Sequence, residues 1–231
     1  MLAGPVEAPQ AMASPRRWHH RGMFADRTDA GARLAAALVP VVDGDVVVLG
    51  IPRGGVIVAA PVAAALGAPL DVALTHKLGA PRNPELALGA VAPGVRVVRD
   101  RVVRSLGVDR AYLDREVARQ EAEIARRALI YRAGRTKESV RGRTAVVVDD
   151  GIATGATAVA ALRWARAAGA ARVWFAAPVG PEGIEDQLAP ECDRCVVLVT
   201  PADLRAVGAW YVDFTQTSDA DVTNALAKAA G

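Results

Sequence analysis

The sequence is poor in several features, and each scarcity excludes a class of protein. Only 4% of its 231 residues are aromatic and two are cysteines, so a disulfide-stapled secreted scaffold is excluded. The longest apolar run, Val56 to Leu66, contains Pro61 and is too short to span a bilayer. Residues 1–22 place basic residues after a weakly apolar part, which is the reverse of a secretory signal. We therefore expect a cytoplasmic protein with no membrane segment and a mobile tail at residues 1–22.

The composition predicts a globular, mildly basic chain. Hydrophobic residues make up 52% and charged residues 23%, which is typical of a folded domain. The net charge of +3 and the pI near 9.2 suit a small anion as well as a nucleic acid. Acids and bases alternate along the predicted helix Asp109 to Ala133, so its charges indicate a solvated face. That alternation disfavours a nucleic-acid partner.

The stretch from Ala145 to Ala158 reads A-V-V-V-D-D-G-I-A-T-G-A-T-A. Its valines predict a strand buried in a parallel sheet, and Ala158 to Ala168 predicts a helix. The amides of a small-residue loop and the positive end of a helix dipole bind phosphate. Two carboxylates would repel a phosphate unless they meet donors or a metal, and the hydroxyls of a sugar phosphate are such donors. The alternative is an ordinary strand-to-helix turn with Thr154 as N-cap.

The stretch resembles the phosphoribosyl-diphosphate (PRPP) signature of type I phosphoribosyltransferases. The resemblance implies that Asp149 and Asp150 hold the ribose 2′- and 3′-hydroxyls and act in catalysis. It implies Mg²⁺ as the cofactor, held mainly through PRPP, with the two aspartates as further ligands. Ala153 departs from the family, where many members have a hydroxyl residue. The 5′-phosphate would be held by the residues that follow the acids, namely Gly151, Ile152, Ala153, Thr154, Gly155, Ala156 and Thr157.

An earlier strand, Asp45 to Ile51, also runs into a small-residue loop before a helix at Val56 to Leu66. Glycines before a helix are common, so this loop is weak evidence by itself. A guanidinium beside loop amides is nevertheless suited to a second anion. The resemblance implies that this loop binds the diphosphate leaving group of PRPP through Arg53, Gly54 and Gly55.

The segment after the predicted strand Asp71 to Leu74 is rich in proline and glycine, so we predict an irregular loop over residues 75–85. Lys77 is the expected second phosphate contact and a catalytic residue. In the family a mobile loop near this region closes over the reaction centre, and Arg82 would belong to it. The alternative for His76, Lys77 and Arg82 is a solvated basic loop. Strands are predicted at Leu86 to Val91 and at Val95 to Val98.

The longest predicted helix, Asp109 to Ala133, belongs to a covering segment inserted at about residues 92–140. Near the end of the chain, Trp210, Tyr211 and Gln216 are candidates for binding the acceptor, because aromatic and amide side chains suit a planar base. The alternative is that the aromatic residues pin the segment to the core. Cys192 and Cys195 form a C-x-x-C pair, for which we favour a structural role over zinc.

The alternation of strands and helices predicts an α/β fold with a mostly parallel central sheet flanked by helices, as one domain over residues 23–231. The arrangement is most similar to a bacterial subgroup of predicted phosphoribosyltransferases whose acceptor is unassigned. The implied function is transfer of the 5-phosphoribosyl group from PRPP to a nitrogenous acceptor, in nucleotide metabolism. A PRPP- or nucleotide-sensing regulator is the alternative, and an RNA-binding regulator is a third option. The resemblance is compatible with a homodimer.

Overall fold

The computed structural model describes residues 24–230 and contains a central sheet of five parallel strands. The sheet order is β2-β1-β6-β7-β8. Its strands are β1 Val46–Gly50, β2 Leu70–Val72, β6 Thr144–Val148, β7 Arg172–Val179 and β8 Arg194–Val199. The helices are α1 Arg27–Leu38, α2 Gly54–Leu66, α3 Asp100–Ser105, α4 Arg110–Tyr131, α5 Ala156–Ala167, α6 Ile184–Leu188 and α7 Asp219–Lys228. The predicted fold class, a mostly parallel sheet flanked by helices, is confirmed.

The β-branched runs form the two central strands, which are buried along their whole length. All five residues of β1 and all five of β6 are buried, as expected where helices cover both faces of a parallel sheet. Their register pairs Val46 with Thr144 and Gly50 with Val148, so both strands end at the same level. The loops that follow them therefore lie side by side at one edge of the sheet.

Two apolar clusters hold the helices against the sheet. Leu34 of α1, Val56 of α2 and Leu226 of α7 belong to one cluster with the side chains on one face. Leu162 of α5 belongs to the other cluster, together with Val147 on the opposite face. Among residues 24–230, no helix is long and apolar enough to cross a membrane.

A second, antiparallel sheet follows β2 and corrects one prediction. Its strands, in the order β3-β4-β5, are β3 His76–Ala80, β4 Asn83–Ala92 and β5 Val95–Val98. The irregular loop predicted for residues 75–85 is wrong, because β3 and the start of β4 form a hairpin. Register shifts on both sides of Gly79 bend the hairpin. Pro84 is tolerated because β5 pairs only with Gly89 to Ala92, so Pro84 has a partner strand on one side only.

The long predicted helix is present as α4, with Asp109 as its N-cap. The carboxylate of Asp109 accepts a hydrogen bond from the backbone N–H of Tyr112 at 2.6 Å. The helix packs against β3 and α7. The helix buries six positions, and Glu116 is the charged one among them. These buried positions are Leu113, Glu116, Val117, Gln120, Ile124 and Tyr131. The predicted tail, residues 1–22, lies outside the described residues.

Candidate functional site

The loop after β1 and the acid pair after β6 pack directly on each other. A Cβ atom at Gly54 would overlap the carboxylate of Asp150 and would lie 2.6 Å from Nε of Arg27. A Cβ at Gly55 would lie 2.7 Å from the carbonyl oxygen of Val148. Both glycines are therefore required by close approach. The sequence prediction brought these two loops to one site, and the structure places them there.

Asp149 and Asp150 have different surroundings. The N–H of Asp150 donates to Oδ1 of Asp149 at 2.9 Å, and Oδ2 of Asp150 accepts a hydrogen bond from Nε of Arg27 at 2.7 Å. Burial raises the pKa of Asp149 well above its ordinary value, and the negative charge of Asp150 raises that pKa further. The pair therefore combines one carboxylate already matched by a cation with a second that burial makes harder to ionise.

Arg27 is a site residue that sequence reasoning missed. It is the first residue of α1, and its Nη1 donates to the backbone oxygen of Thr215 at 2.8 Å. Its guanidinium carbon lies 3.9 Å from the ring centroid of Phe214. Arg27 and Asp150 are 123 positions apart, so no local pattern links them. The contact arises only because α1 packs next to both the acid pair and the segment after β8.

The loop from Gly151 to Gly155 leads into α5 without a side-chain cap. Gly155 is the N-cap residue, with φ of +75°, and no side chain bonds to the first turn of α5. The alternative in which Thr154 caps the helix is therefore wrong. Ala156 and Thr157 begin the helix, so their N–H groups lie at its positive end. An uncapped helix N-terminus beside a small-residue loop is suited to a phosphate.

Ile152 holds this loop in place instead of contacting solvent. Its side chain is 2% exposed, and its backbone N–H donates to the carbonyl oxygen of Val179 at 2.9 Å. Gln187 of α6 donates through Nε2 to the backbone oxygen of Thr154 at 3.3 Å. Gly151 has no room for a side chain, because a Cβ would overlap the side chain of Val207 and would lie 3.1 Å from Cγ1 of Val179. These contacts support the loop from the side of β7.

The aromatic residues near the end of the chain pack against the acid pair. Tyr211 is 5% exposed and packs with centroid distances of 5.4 Å to Phe24 and 4.9 Å to Phe214. Its hydroxyl donates to the backbone oxygen of Asp150 at 2.5 Å, and burial raises its pKa. For Tyr211 the burial favours the packing alternative over stacking on a base. Trp210 is half-buried and Gln216 is exposed, and their acceptor role stays a prediction.

Lys77 lies on β3, in a cavity separate from the one that the acids line. Its Nζ binds Oε2 of Glu85 at 2.9 Å and the backbone oxygen of Glu85 at 3.2 Å. A cavity of about 350 Å³ between β3 and α4 is lined by Lys77 together with Pro52 and Thr157. Because Pro52 also lines the cleft of the acid pair, the two cavities meet there. The phosphate contact assigned to Lys77 stays a prediction.

The same cavity contains two buried groups without partners. Oγ1 of Thr75 and Nε2 of His76 are buried and make no hydrogen bond among residues 24–230. Burial lowers the pKa of His76, and the charge of Arg127 lowers it further. His76 is therefore neutral near pH 7, which leaves it one donor and one acceptor nitrogen.

Comparison with known proteins identifies this arrangement. A family model described as the phosphoribosyl transferase domain matches residues 26–204. The chain belongs to the phosphoribosyl transferase family. The resemblance drawn from the Asp149 to Thr157 stretch is confirmed by this match.

The relatives of this chain include two proteins of Mycobacterium tuberculosis, from strains CDC 1551 / Oshkosh and ATCC 25618 / H37Rv. Each is named "Putative phosphoribosyl transferase" and is 51% identical over 208 residues. The match covers 90% of this chain but 47% of those proteins, so the chain spans about half the length of these relatives. The crystal structure of TT1426 from Thermus thermophilus has a TM-score of 0.75 and 46% identity. That match covers 90% of this chain and 99% of TT1426.

The acid pair would fit Mg²⁺ only as part of a larger ligand set. Carboxylate oxygens are the hard ligands that Mg²⁺ prefers, together with waters and substrate phosphates. Within residues 24–230 no group of three or more histidine, cysteine or acidic side chains could hold a metal. Arg27 already occupies one oxygen of Asp150. The residues therefore fit an ion that takes most of its ligands from a phosphorylated substrate.

The cysteine pair lies between the end of α6 and the start of β8, away from the acids. Cys192 is 7% exposed, and its Sγ donates to the backbone oxygen of Leu188 at 3.4 Å. Cys195, the second residue of β8, is half-buried. The structural role that we favoured for the pair over zinc stays a prediction.

Proposed function

We propose that this chain transfers the 5-phosphoribosyl group from PRPP to a nitrogenous acceptor and releases diphosphate. One observation carries the proposal. The acid pair, the loop after β1 and the segment after β8 line a single cleft of about 480 Å³, and Thr157 at the uncapped start of α5 lines the cavity that meets this cleft at Pro52. The lining residues are Arg27, Pro52, Arg53, Gly54, Asp149, Asp150, Phe214, Gln216 and Thr217.

The proposed roles follow from the chemistry of each group. Asp149 and Asp150 accept hydrogen bonds from the ribose 2′- and 3′-hydroxyls, and Arg27 holds Oδ2 of Asp150 in place. The amides of Gly151 to Thr157 and the dipole of α5 hold the 5′-phosphate. Arg53 forms a fork with the diphosphate, and its neighbouring glycines let the backbone approach. Lys77 adds positive charge from the adjacent cavity.

Catalysis by such a site consists of positioning and charge stabilisation. Cleavage at C1 of the ribose builds positive charge on the sugar and negative charge on the diphosphate. In this proposal the aspartates stabilise the sugar, and Arg53 and Lys77 stabilise the leaving group. Bound Mg²⁺ would supply charge neutralisation on the diphosphate. Gln216, which lines the cleft, is a proposed contact to the acceptor, whereas Trp210 does not line the cleft and its acceptor role stays a prediction.

The experiment that tests this proposal measures release of diphosphate from PRPP in the presence of Mg²⁺ and a panel of purines, pyrimidines and their precursors. Release that requires one of these acceptors supports the transferase. Tight PRPP binding without diphosphate release in the presence of any of these acceptors favours the sensing regulator instead.

Arg53→Ala separates a diphosphate contact from a structural role. If Arg53 meets the diphosphate, this variant weakens PRPP binding about tenfold but leaves ribose 5-phosphate binding unchanged, because that ligand carries no diphosphate. Equal weakening of both ligands would mean that Arg53 only supports the loop. The matched control is Arg205→Ala, since Arg205 pairs with Asp203 on an exposed surface outside the cleft. The cytoplasmic location and the homodimer stay predictions.

A further inference from the structure

Cys192 and Cys195 are the only cysteines of the chain, and neither lines the cleft of the acid pair. Cys192 follows α6, and Cys195 is the second residue of β8. Both side chains pack into the apolar cluster that contains Leu162 of α5. The two thiols therefore lie on the same face of the central sheet, separated along the chain by only two residues.

The short turn between the two cysteines is fixed to β7. The N–H of Asp193 donates to the backbone oxygen of Val173 at 2.7 Å, and Oδ2 of Asp193 accepts from the N–H of Val173 at 2.7 Å. Cys195 then pairs with Phe175 in the register of β7 and β8. Closing a loop of so few residues costs little entropy, so this turn favours a bond between its two sulfurs.

The sulfur of Cys192 is held only weakly in its present position. Its hydrogen bond to the backbone oxygen of Leu188 is 3.4 Å long. The same oxygen already accepts from the N–H of Glu191 at 2.8 Å and from the N–H of Cys192 at 3.2 Å. Because a thiol is a weak donor, Sγ of Cys192 loses little when it leaves this contact for another partner.

The two thiols differ in acidity. The thiol of Cys195 lowers the pKa of Cys192. The backbone N–H groups of Phe175 and Arg194 lower this pKa further, against the opposing effects of burial and of the charge of Asp193. The pKa of Cys195 is raised, first by Cys192 and then by burial. A thiolate is the form that attacks an oxidant, so Cys192 is the better nucleophile of the two.

Burial limits the size of the oxidant that reaches the pair. Cys192 is 7% exposed and Cys195 is half-buried. A bulky disulfide is obstructed at such a site, whereas hydrogen peroxide is small and uncharged. A neighbouring thiol also captures a newly formed sulfenic acid before it is oxidised further.

We propose that Cys192 and Cys195 form a redox-active dithiol, which hydrogen peroxide converts to an intramolecular disulfide and a dithiol reductant restores. The thiolate of Cys192 attacks one peroxide oxygen, and the O–O bond breaks. The departing hydroxide takes the proton that the thiol released and leaves as water, so Cys192 becomes a sulfenic acid. This site lies outside the cleft and is independent of the proposed transfer.

The second step closes the disulfide. The sulfur of Cys195 attacks Sγ of Cys192, the S–O bond breaks, and the hydroxyl leaves as water with the proton of the Cys195 thiol. Two thiols and one peroxide thus give one disulfide and two waters, which is a two-electron oxidation. A reductant such as dithiothreitol returns both thiols by exchange and becomes a cyclic disulfide itself.

The test treats the reduced full-length protein with hydrogen peroxide, blocks the remaining thiols with iodoacetamide and digests the product with trypsin. Trypsin cleaves after Arg194, so residues 173–194 and 195–205 form separate peptides that the disulfide would join. We expect the joined pair, about 2 Da lighter than the two reduced peptides together, and its separation by dithiothreitol. Methionine oxidation does not interfere, because all three methionines lie in residues 1–23.

Two reciprocal variants test the roles of the thiols. In Cys195→Ser the sulfenic acid of Cys192 has no thiol to resolve it, so dimedone, which labels sulfenic acids, should label Cys192 after peroxide treatment. In Cys192→Ser the remaining thiol is the less acidic one, so peroxide should consume it at least about tenfold more slowly. The peptide map of the wild type needs no variant, so it decides the disulfide even if a serine destabilises the fold.

Three results overturn the proposal. They are two thiols that stay free in the peroxide-treated wild type, disulfides that join only separate chains, and a wild-type Cys192 that proceeds to a sulfinic acid. Faster reaction of Cys195 than of Cys192 in the reciprocal variants would overturn the order of attack. None of these readouts involves PRPP, so the dithiol and the proposed transfer stand or fail separately.

Discussion

Gly54→Ala tests the packing of the two loops without removing any functional group. The added Cβ would overlap Oδ2 of Asp150 and lie 2.6 Å from both Cγ of Asp150 and Nε of Arg27. Ordinary van der Waals contacts begin near 3.4 Å, so the carboxylate must move. Movement breaks the 2.7 Å hydrogen bond from Arg27, a charge-assisted bond between two largely buried groups. Such bonds contribute about 1.5–3 kcal/mol.

The expected loss of unfolding free energy in Gly54→Ala is therefore about 2 kcal/mol. Replacing a helical glycine by alanine offsets part of this, by at most about 1 kcal/mol, because Gly54 is the first residue of α2. A net loss of about 1–2 kcal/mol lowers Tm by roughly 2–8 °C for a chain of this size. PRPP affinity should fall by about tenfold or more, since Asp150 is displaced from the ribose.

The assay combines differential scanning calorimetry with calorimetric titration of PRPP. The control is Gly94→Ala in the turn between β4 and β5, where φ is +73° and no atom lies within 4 Å of the added Cβ. That variant should lose about 1 kcal/mol through backbone strain alone and bind PRPP normally. An unchanged Tm and an unchanged PRPP affinity in Gly54→Ala would refute the argument that the loops touch through Asp150.

Two further predictions concern the supports of the site. Tyr211→Phe keeps the ring but leaves the half-buried backbone oxygen of Asp150 without its donor, so the free energy of unfolding should fall by about 0.5–1.5 kcal/mol in chemical denaturation. A loss below about 0.5 kcal/mol, the size of a neutral surface change, would show that the hydroxyl bond is not formed. Hydrogen bonds from Arg126 and Arg127 lower the pKa of Glu123 to about 2, so its stabilisation is present above its unfolded pKa and is lost as pH falls through the folded value. Glu123→Gln should therefore lower Tm at pH 7, and the Tm difference between the wild type and the variant should shrink below about pH 4.5. A Tm difference that does not change with pH would contradict this.

The central strands and the two loops could be predicted because their signals are local. β-branched runs followed directly by glycines or acids mark the strand ends, and the parallel register then brings Gly54 and Asp150 together. The start of α7 also had a local signal that was not used. Ser218 and Asp221 form a capping box, in which the hydroxyl accepts from the N–H of Asp221 and the carboxylate accepts from the N–H of Ser218.

Other parts could not be predicted because tertiary contacts decide them. Proline and glycine in residues 75–85 indicated a loop, yet a bulge at Gly79 and a one-sided position for Pro84 make a hairpin possible. The contact between Arg27 and Asp150 depends on where α1 packs, which no pattern near either residue reports. The sequence around Tyr211 was compatible with stacking on a base and with packing against the core, and only its burial in the structure favours packing.

The central claim is that the acid pair holds PRPP, and calorimetric titration of PRPP with Mg²⁺ tests it most directly. The wild-type protein is compared with the double variant Asp149→Asn, Asp150→Asn. The control is Asp43→Asn, Asp45→Asn, an exposed acid pair that precedes β1 and binds Arg172 and Arg143 at the opposite edge of the sheet. Each lost charged hydrogen bond contributes about 1.5–3 kcal/mol, so the site variant should bind PRPP at least about tenfold more weakly while the control binds as the wild type does. Equal PRPP affinity in the wild type and the Asp149→Asn, Asp150→Asn variant would contradict the account.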